Sequence, residues 1–168
     1  MNRVRSTSVP ESSLLQRYSD SGAYVDCYAT EISTPATHAQ FVEAFYTTPL
    51  FKLERLLLGL VVSCPSTDAQ AKELAQGRRG SFAAWQVESR ASNEVLLRAG
   101  RTRSWLMVAE SPGKPTRLMF GSAVVPARSP RAGRSRLGVG FRALLGFHKL
   151  YSRALLLSAR LRLSSRVT

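Results

Sequence analysis

Between Tyr24 and Ile32 polar and apolar side chains alternate, with aromatic and branched residues among them, and this period of two predicts a strand. Ser33-Thr34-Pro35 ends it. Thr34 as N-cap, with Pro35 in the first helical position, predicts a helix reaching Tyr46, on which Phe41, Ala44 and Phe45 recur at helical spacing. Thr48-Pro49 repeats the device ahead of a leucine-rich second helix, Leu50 to about Val62, broken by Ser63 to Pro65. Thr67 and Gln70 have the spacing of a capping box for a third helix, Asp68 to Gln76, closed by Gly77.

The period then changes. Phe82 to Arg90, Glu94 to Ala99, Arg103 to Glu110 and Thr116 to Val125 are strand-like runs separated by Ser-Asn, Gly-Arg and Ser-Pro-Gly-Lys, the pattern of an antiparallel meander. One face is expected to carry Trp85, Val87, Val95, Leu97, Trp105, Met107, Leu118 and Phe120. Pro126 to Arg136, with two prolines, a glycine and four arginines, reads as a loop with no apolar content to bury. A long amphipathic helix follows, from about Gly140 to Leu163. Arg142, Lys149, Arg153 and Arg160 fall within roughly 20° of one line on it. Phe141, Leu144, His148, Tyr151 and Leu155 mark the other face, widened by Leu145, Leu150, Leu156 and Leu157.

One strand, paired helices, a meander and a long last helix predict a two-layer α+β fold in which a curved antiparallel sheet wraps the C-terminal helix. The length of 168 residues and a 44% hydrophobic content fit a single domain, placed at residues 23–163. Residues 1–22, Ser-rich and polar apart from Leu14 and Leu15, read as a flexible leader, and 164–168 as a tail. The longest apolar run, Leu56 to Val62 with Gly59 inside it, is far short of the roughly 20 residues of a bilayer-spanning helix. The leader has no apolar core or small-residue cleavage site of a secretory signal, and the cytoplasm is the expected compartment.

Charge changes the picture more than composition does. The net charge is +13, yet from Ser111 to Thr168 there are 12 basic residues and no acidic one. That third favours anionic partners such as nucleic acid or an acidic membrane surface, although 20 of the 24 basic residues being Arg also fits compositional drift. Cys27 and Cys64 show neither a Cys-x-x-Cys spacing nor a nearby histidine, and both are expected to be reduced core residues.

The order of elements resembles the helix-grip fold of the START-like superfamily. Three stretches are similar to an uncharacterised bacterial family within it, a domain of unknown function sometimes fused behind a nucleoside-sugar epimerase-like domain. They are Ala23-Tyr-Val-Asp-Cys-Tyr-Ala, Gly100-Arg-Thr-Arg-Ser-Trp-Leu-Met-Val and Gly146-Phe-His-Lys-Leu-Tyr-Ser-Arg. Gly146 stands where the family carries Pro, and Arg101 and Arg103 where it carries an acidic residue and His. The resemblance implies a small apolar or amphipathic ligand held between sheet and last helix, with Trp85, Trp105, Met107, Met119, His148 and Tyr151 as lining residues.

His148 is the first candidate for chemistry, as a hydrogen-bonding anchor, an acid/base group, or a core-edge histidine satisfied by a backbone carbonyl. His38 falls near an exposed turn, so a two-histidine metal site is not expected. No nucleophile elbow, phosphate loop or paired-carboxylate signature occurs, and Gly138-Val-Gly140 reads as a turn into the last helix. The expected function is therefore non-catalytic ligand binding without a cofactor. The alternative is electrostatic binding of nucleic acid or an acidic membrane surface through Arg142, Lys149, Arg153 and Arg160.

Overall fold

A computed structural model describes residues 3–53, 55, 66–110, 113–126 and 139–165, with 139–145 described by backbone alone. β1 (Arg5–Ser6) and α1 (Gln16–Asp20) precede β2 (Tyr24–Ile32) and α2 (His38–Tyr46). After α3 (Asp68–Ala75) come β3 (Ser81–Phe82), β4 (Trp85–Arg90), β5 (Glu94–Ala99), β6 (Thr102–Ala109) and β7 (Thr116–Val124), then α4 (Val139–Ser164). The chain is α+β. Among the described residues all seven strands form one antiparallel sheet in the order β1-β2-β7-β6-β5-β4-β3. The meander folds back so that its last strand pairs with β2, and α4 then packs across β2 and β7 beside α2.

Local chemistry accounts for the ends of these elements. α2 starts three residues later than Thr34-Pro35 suggests, because Thr37 and Gln40 close a capping box. Gln40 N donates to Thr37 Oγ1 at 3.2 Å, and Thr37 N donates to Gln40 Oε1 at 2.8 Å. Two satisfied backbone donors outweigh the proline's preset φ. Thr67 and Gln70 cap α3 in the same way, as expected from their spacing. The expected strand Phe82 to Arg90 is split by a turn at Ala83, whose φ is +50°. Residues 49–53 are helical, as the Thr48-Pro49 start predicts, whereas 54 and 56–65, with Cys64 and most of the expected second helix, lie outside the described residues, as do 127–138.

The sheet has a core on each face. Toward the helices, Tyr28, Phe45, Leu97, Leu106, Leu118 and Phe120 pack with Leu155, Leu156 and Ala159 of α4. On the opposite face Cys27, Leu96, Trp105, Met119 and Ala123 pack with Leu15 of the leader. This corrects two expectations. Trp105 and Met107 face away from the helices, and Leu106 and Val108 take their place on the inner wall. Residues 3–22 are no flexible leader: β1 is a sheet edge, and Leu15, wholly buried, seats α1 on the outer face. The two leucines that interrupt the polar leader are the anchor, because burying them removes apolar area from both leader and sheet.

Gly121 of β7 makes the seat. A Cβ there would lie 2.5 Å from Leu15 Cδ2 and 3.0 Å from the Asp26 carbonyl oxygen. Gly121→Val is accordingly expected to lower the unfolding free energy by about 1–3 kcal/mol through overpacking, with faster tryptic cleavage at Arg17. Unchanged denaturation and cleavage would show that the leader is not seated on Gly121.

Candidate functional site

Tyr24, Asp26 and Tyr28 alternate with outward residues of β2, which turns all three toward α4, and the β2–β7 register sets Asp26 opposite Ser122. His148, on the first described side-chain turn of α4, reaches down to this pair. Its Nε2 lies 2.8 Å from Ser122 Oγ and 3.4 Å from Asp26 Oδ2, and Ser122 Oγ donates to Asp26 Oδ1 at 2.6 Å. The Tyr28 hydroxyl donates to Asp26 Oδ2 at 3.4 Å.

These distances assign the protons. Burial pushes the Asp26 carboxyl up, but hydrogen bonds from His148 and Ser122 outweigh it and leave the pKa below the usual carboxylate value. Asp26 is thus an ionised acceptor, and the Ser122 proton points at it. His148 Nε2 must then carry the hydrogen it shares with Ser122. Burial first, and the Asp26 charge second, push the Tyr24 phenol up to about 12; the same causes raise Tyr28. Asp26 and Ser122 meet the same ring nitrogen, so the trio does not form a Ser-His-Asp relay, in which the acid holds one nitrogen and the nucleophile the other. Its chemistry is directional hydrogen bonding.

Next to the trio, between sheet and α4, is a cavity of about 150 Å³. Phe45, Phe51, Trp85, Phe120, Tyr151 and Leu155 make its apolar wall, and His148, Ser122 and Ser152, with Thr102, Arg103 and Ser104 of β6, its polar side. Of the lining residues, Ser152 and Trp85 have their Oγ and Nε1 atoms buried without a protein partner. Such groups cost free energy unless water or a ligand satisfies them.

Of the residues expected to line a cavity, Trp85, His148 and Tyr151 come together here. Trp105, Met107 and Met119 do not: they lie under the leader on the far side of the sheet, because β6 and the middle of β7 are apolar on both faces. The expected backbone partner of His148 is replaced by the side chains of Ser122 and Asp26. Asp26, Ser122 and Ser152 were not singled out from sequence as ligand-facing groups; a lone acid on the inward phase of β2 is the signal that points to the first. Of the cationic residues, Lys149 and Arg153 are exposed and border an open groove of about 420 Å³ beside β2, with the Arg153 guanidinium 5.4 Å from the centre of the Tyr28 ring. Arg160 is half-buried and partnered. The Arg142 side chain lies outside the described residues. Among the described residues no cluster of three His, Cys, Asp or Glu side chains is placed to hold a metal ion. No family model, curated protein or solved structure matches the chain.

Proposed function

We propose that this chain is a helix-grip domain of the START-like type that binds, without catalysis, a small ring molecule carrying one oxygen function, between the sheet and α4. The observation that carries the reading is the aromatic-walled cavity with two buried, unpartnered polar atoms, Trp85 Nε1 and Ser152 Oγ, beside the Asp26–Ser122–His148 trio. A void near 150 Å³ matches a single aromatic ring rather than a lipid chain, and mostly apolar walls with few fixed polar groups are the usual make-up of a ligand site. The indole N–H asks for an acceptor and the serine hydroxyl takes either role, so an alcohol, phenol or ketone complements both.

Phenol, cyclohexanol and cyclohexanone are the probes, titrated by calorimetry, with benzene as the apolar control. A ligand of this size reaches dissociation constants of about 0.1–1 mM. Ser152→Leu removes an orphaned hydroxyl and fills the void, and is expected to raise the melting temperature while abolishing binding. Absence of heat for every oxygenated probe, or binding retained by Ser152→Leu, would overturn the reading.

A further inference from the structure

α4 is apolar on two opposite faces. Ser152, Leu155, Leu156, Ala159 and Leu163 are buried toward the protein. On the other side Phe147, Leu150, Leu157 and Leu161 are 66%, 69%, 40% and 58% exposed, with Ala154 between them. Their alternating spacing of three and four residues places them within an arc of about 80° along about 21 Å of helix. Phe147 and Tyr151 stack at 6.0 Å, which stiffens the N-terminal end of the ridge. Lys149 and Arg153 run along one side of it, toward β2, both exposed and neither in a salt bridge with a described carboxylate.

We propose that this ridge docks the protein on an anionic membrane surface. Phe147, Leu150, Leu157 and Leu161 enter the boundary between headgroups and acyl chains, while Lys149 and Arg153 meet the lipid phosphates. The inference is independent of the cavity reading, since none of the four ridge side chains lines the cavity.

Three considerations select this occupant. With 12 basic residues and no acidic one after Glu110, a second copy of the chain would set cations against cations, whereas an acidic bilayer attracts them at about 1 kcal/mol per residue near the surface. A specific protein interface needs roughly 800 Å² per partner, and one convex ridge of four large side chains supplies a fraction of that; a bilayer needs no matching groove and gains from each inserted side chain separately. A nucleic acid would use the cations and leave Phe147, Leu150, Leu157 and Leu161 in water. Among the described residues no helix is long and apolar enough to cross a membrane, so the helix lies on the surface rather than through it.

The test is flotation of the full chain with vesicles of phosphatidylcholine alone or with one third phosphatidylglycerol, at low and physiological salt. The wild type is expected to float only with the phosphatidylglycerol vesicles. Lys149→Glu with Arg153→Glu should reduce that partition by about tenfold at either salt. Phe147→Ser, Leu150→Ser and Leu157→Ser together should reduce it by about tenfold at physiological salt while leaving the melting curve intact, because the three sites are exposed. Phe147→Trp adds a direct readout, a blue shift of emission on phosphatidylglycerol vesicles alone. The proposal is overturned by a triple serine variant that floats like the wild type. It is equally overturned if the wild type stays with the soluble fraction and instead binds polynucleotide, or forms a dimer that the serine substitutions dissolve.

Discussion

Glu94→Ala is expected to lower the unfolding free energy by about 3 kcal/mol and to loosen the leader before the rest of the chain. Glu94 opens β5 on the outer face and is only 6% exposed. One carboxylate oxygen, Oε2, accepts the Trp105 indole N–H at 2.6 Å and the Leu14 backbone N–H at 2.9 Å. Alanine would orphan two donors, one of them in a wholly buried tryptophan, and hydrogen bonds to a charged acceptor contribute about 1.5–3 kcal/mol each. Glu94→Gln keeps an acceptor oxygen of the same reach and should cost about 1 kcal/mol. A second clamp limits the damage: Arg103 pairs with Glu88 at 2.6 Å, and the Tyr18 hydroxyl donates to Glu88 at 2.5 Å beneath the Arg103 guanidinium. Urea denaturation gives the free energies, and tryptic cleavage at Arg17 reports the leader. If Glu94→Ala unfolds within about 0.5 kcal/mol of the wild type, the buried carboxylate is not what holds Trp105 and Leu14 together.

That two-faced sheet is what the sequence pattern conceals. The existence and limits of β2, β5 and β7 are readable within a residue, because turn formers bracket each run. The phase of β6 is not. In Trp105-Leu-Met-Val108 every side chain is apolar, since the helices cover one face and the leader the other, and a run buried on both sides loses the alternation that would tell inside from outside. The polar residues just before it do hold the answer: Ser104 is turned in, its hydroxyl 3.2 Å from that of Tyr46, and Arg103 is turned out to Glu88. The packing of the leader is concealed for a related reason. Two leucines among serines look like a tail until Gly121, about a hundred residues away, is seen to leave space for one of them.

The site was legible by half. His148 stands out because a polar residue falls on the sheet-facing side of an amphipathic helix. Its partners Asp26 and Ser122 are 96 residues apart and meet only because the first long strand pairs with the last, a pairing that local periodicity does not encode. The exposed ridge on α4 was hidden by abundance: with leucines all around the helix, Leu150 and Leu157 read as a widening of the buried face.

Acid destabilisation is expected to begin near pH 6.5, and His38 is its source. At the first position of α2 the residue is half-buried and its Nε2 is buried without a partner, unlike the exposed turn its sequence position suggests. Burial lowers its pKa to about 4, helped by the Arg90 charge and opposed by a hydrogen bond to the Leu106 backbone. The folded state thus holds the neutral ring while the unfolded chain takes up a proton at the ordinary value near 6.5. A folded pKa below the unfolded one means that the stability is fully present above pH 6.5, falls as the pH drops, and stops falling near pH 4. Across that window the loss is about 2–3 kcal/mol. The Asp26 carboxylate has the same sign but a lower range: its contribution is present above the usual carboxylate pKa and is lost only below it. Urea midpoints measured between pH 7.5 and 4.5 should therefore fall steeply for the wild type and much less for His38→Gln, which does not titrate, even if that variant starts from lower stability. Parallel curves for the two proteins would place the acid-sensitive group elsewhere.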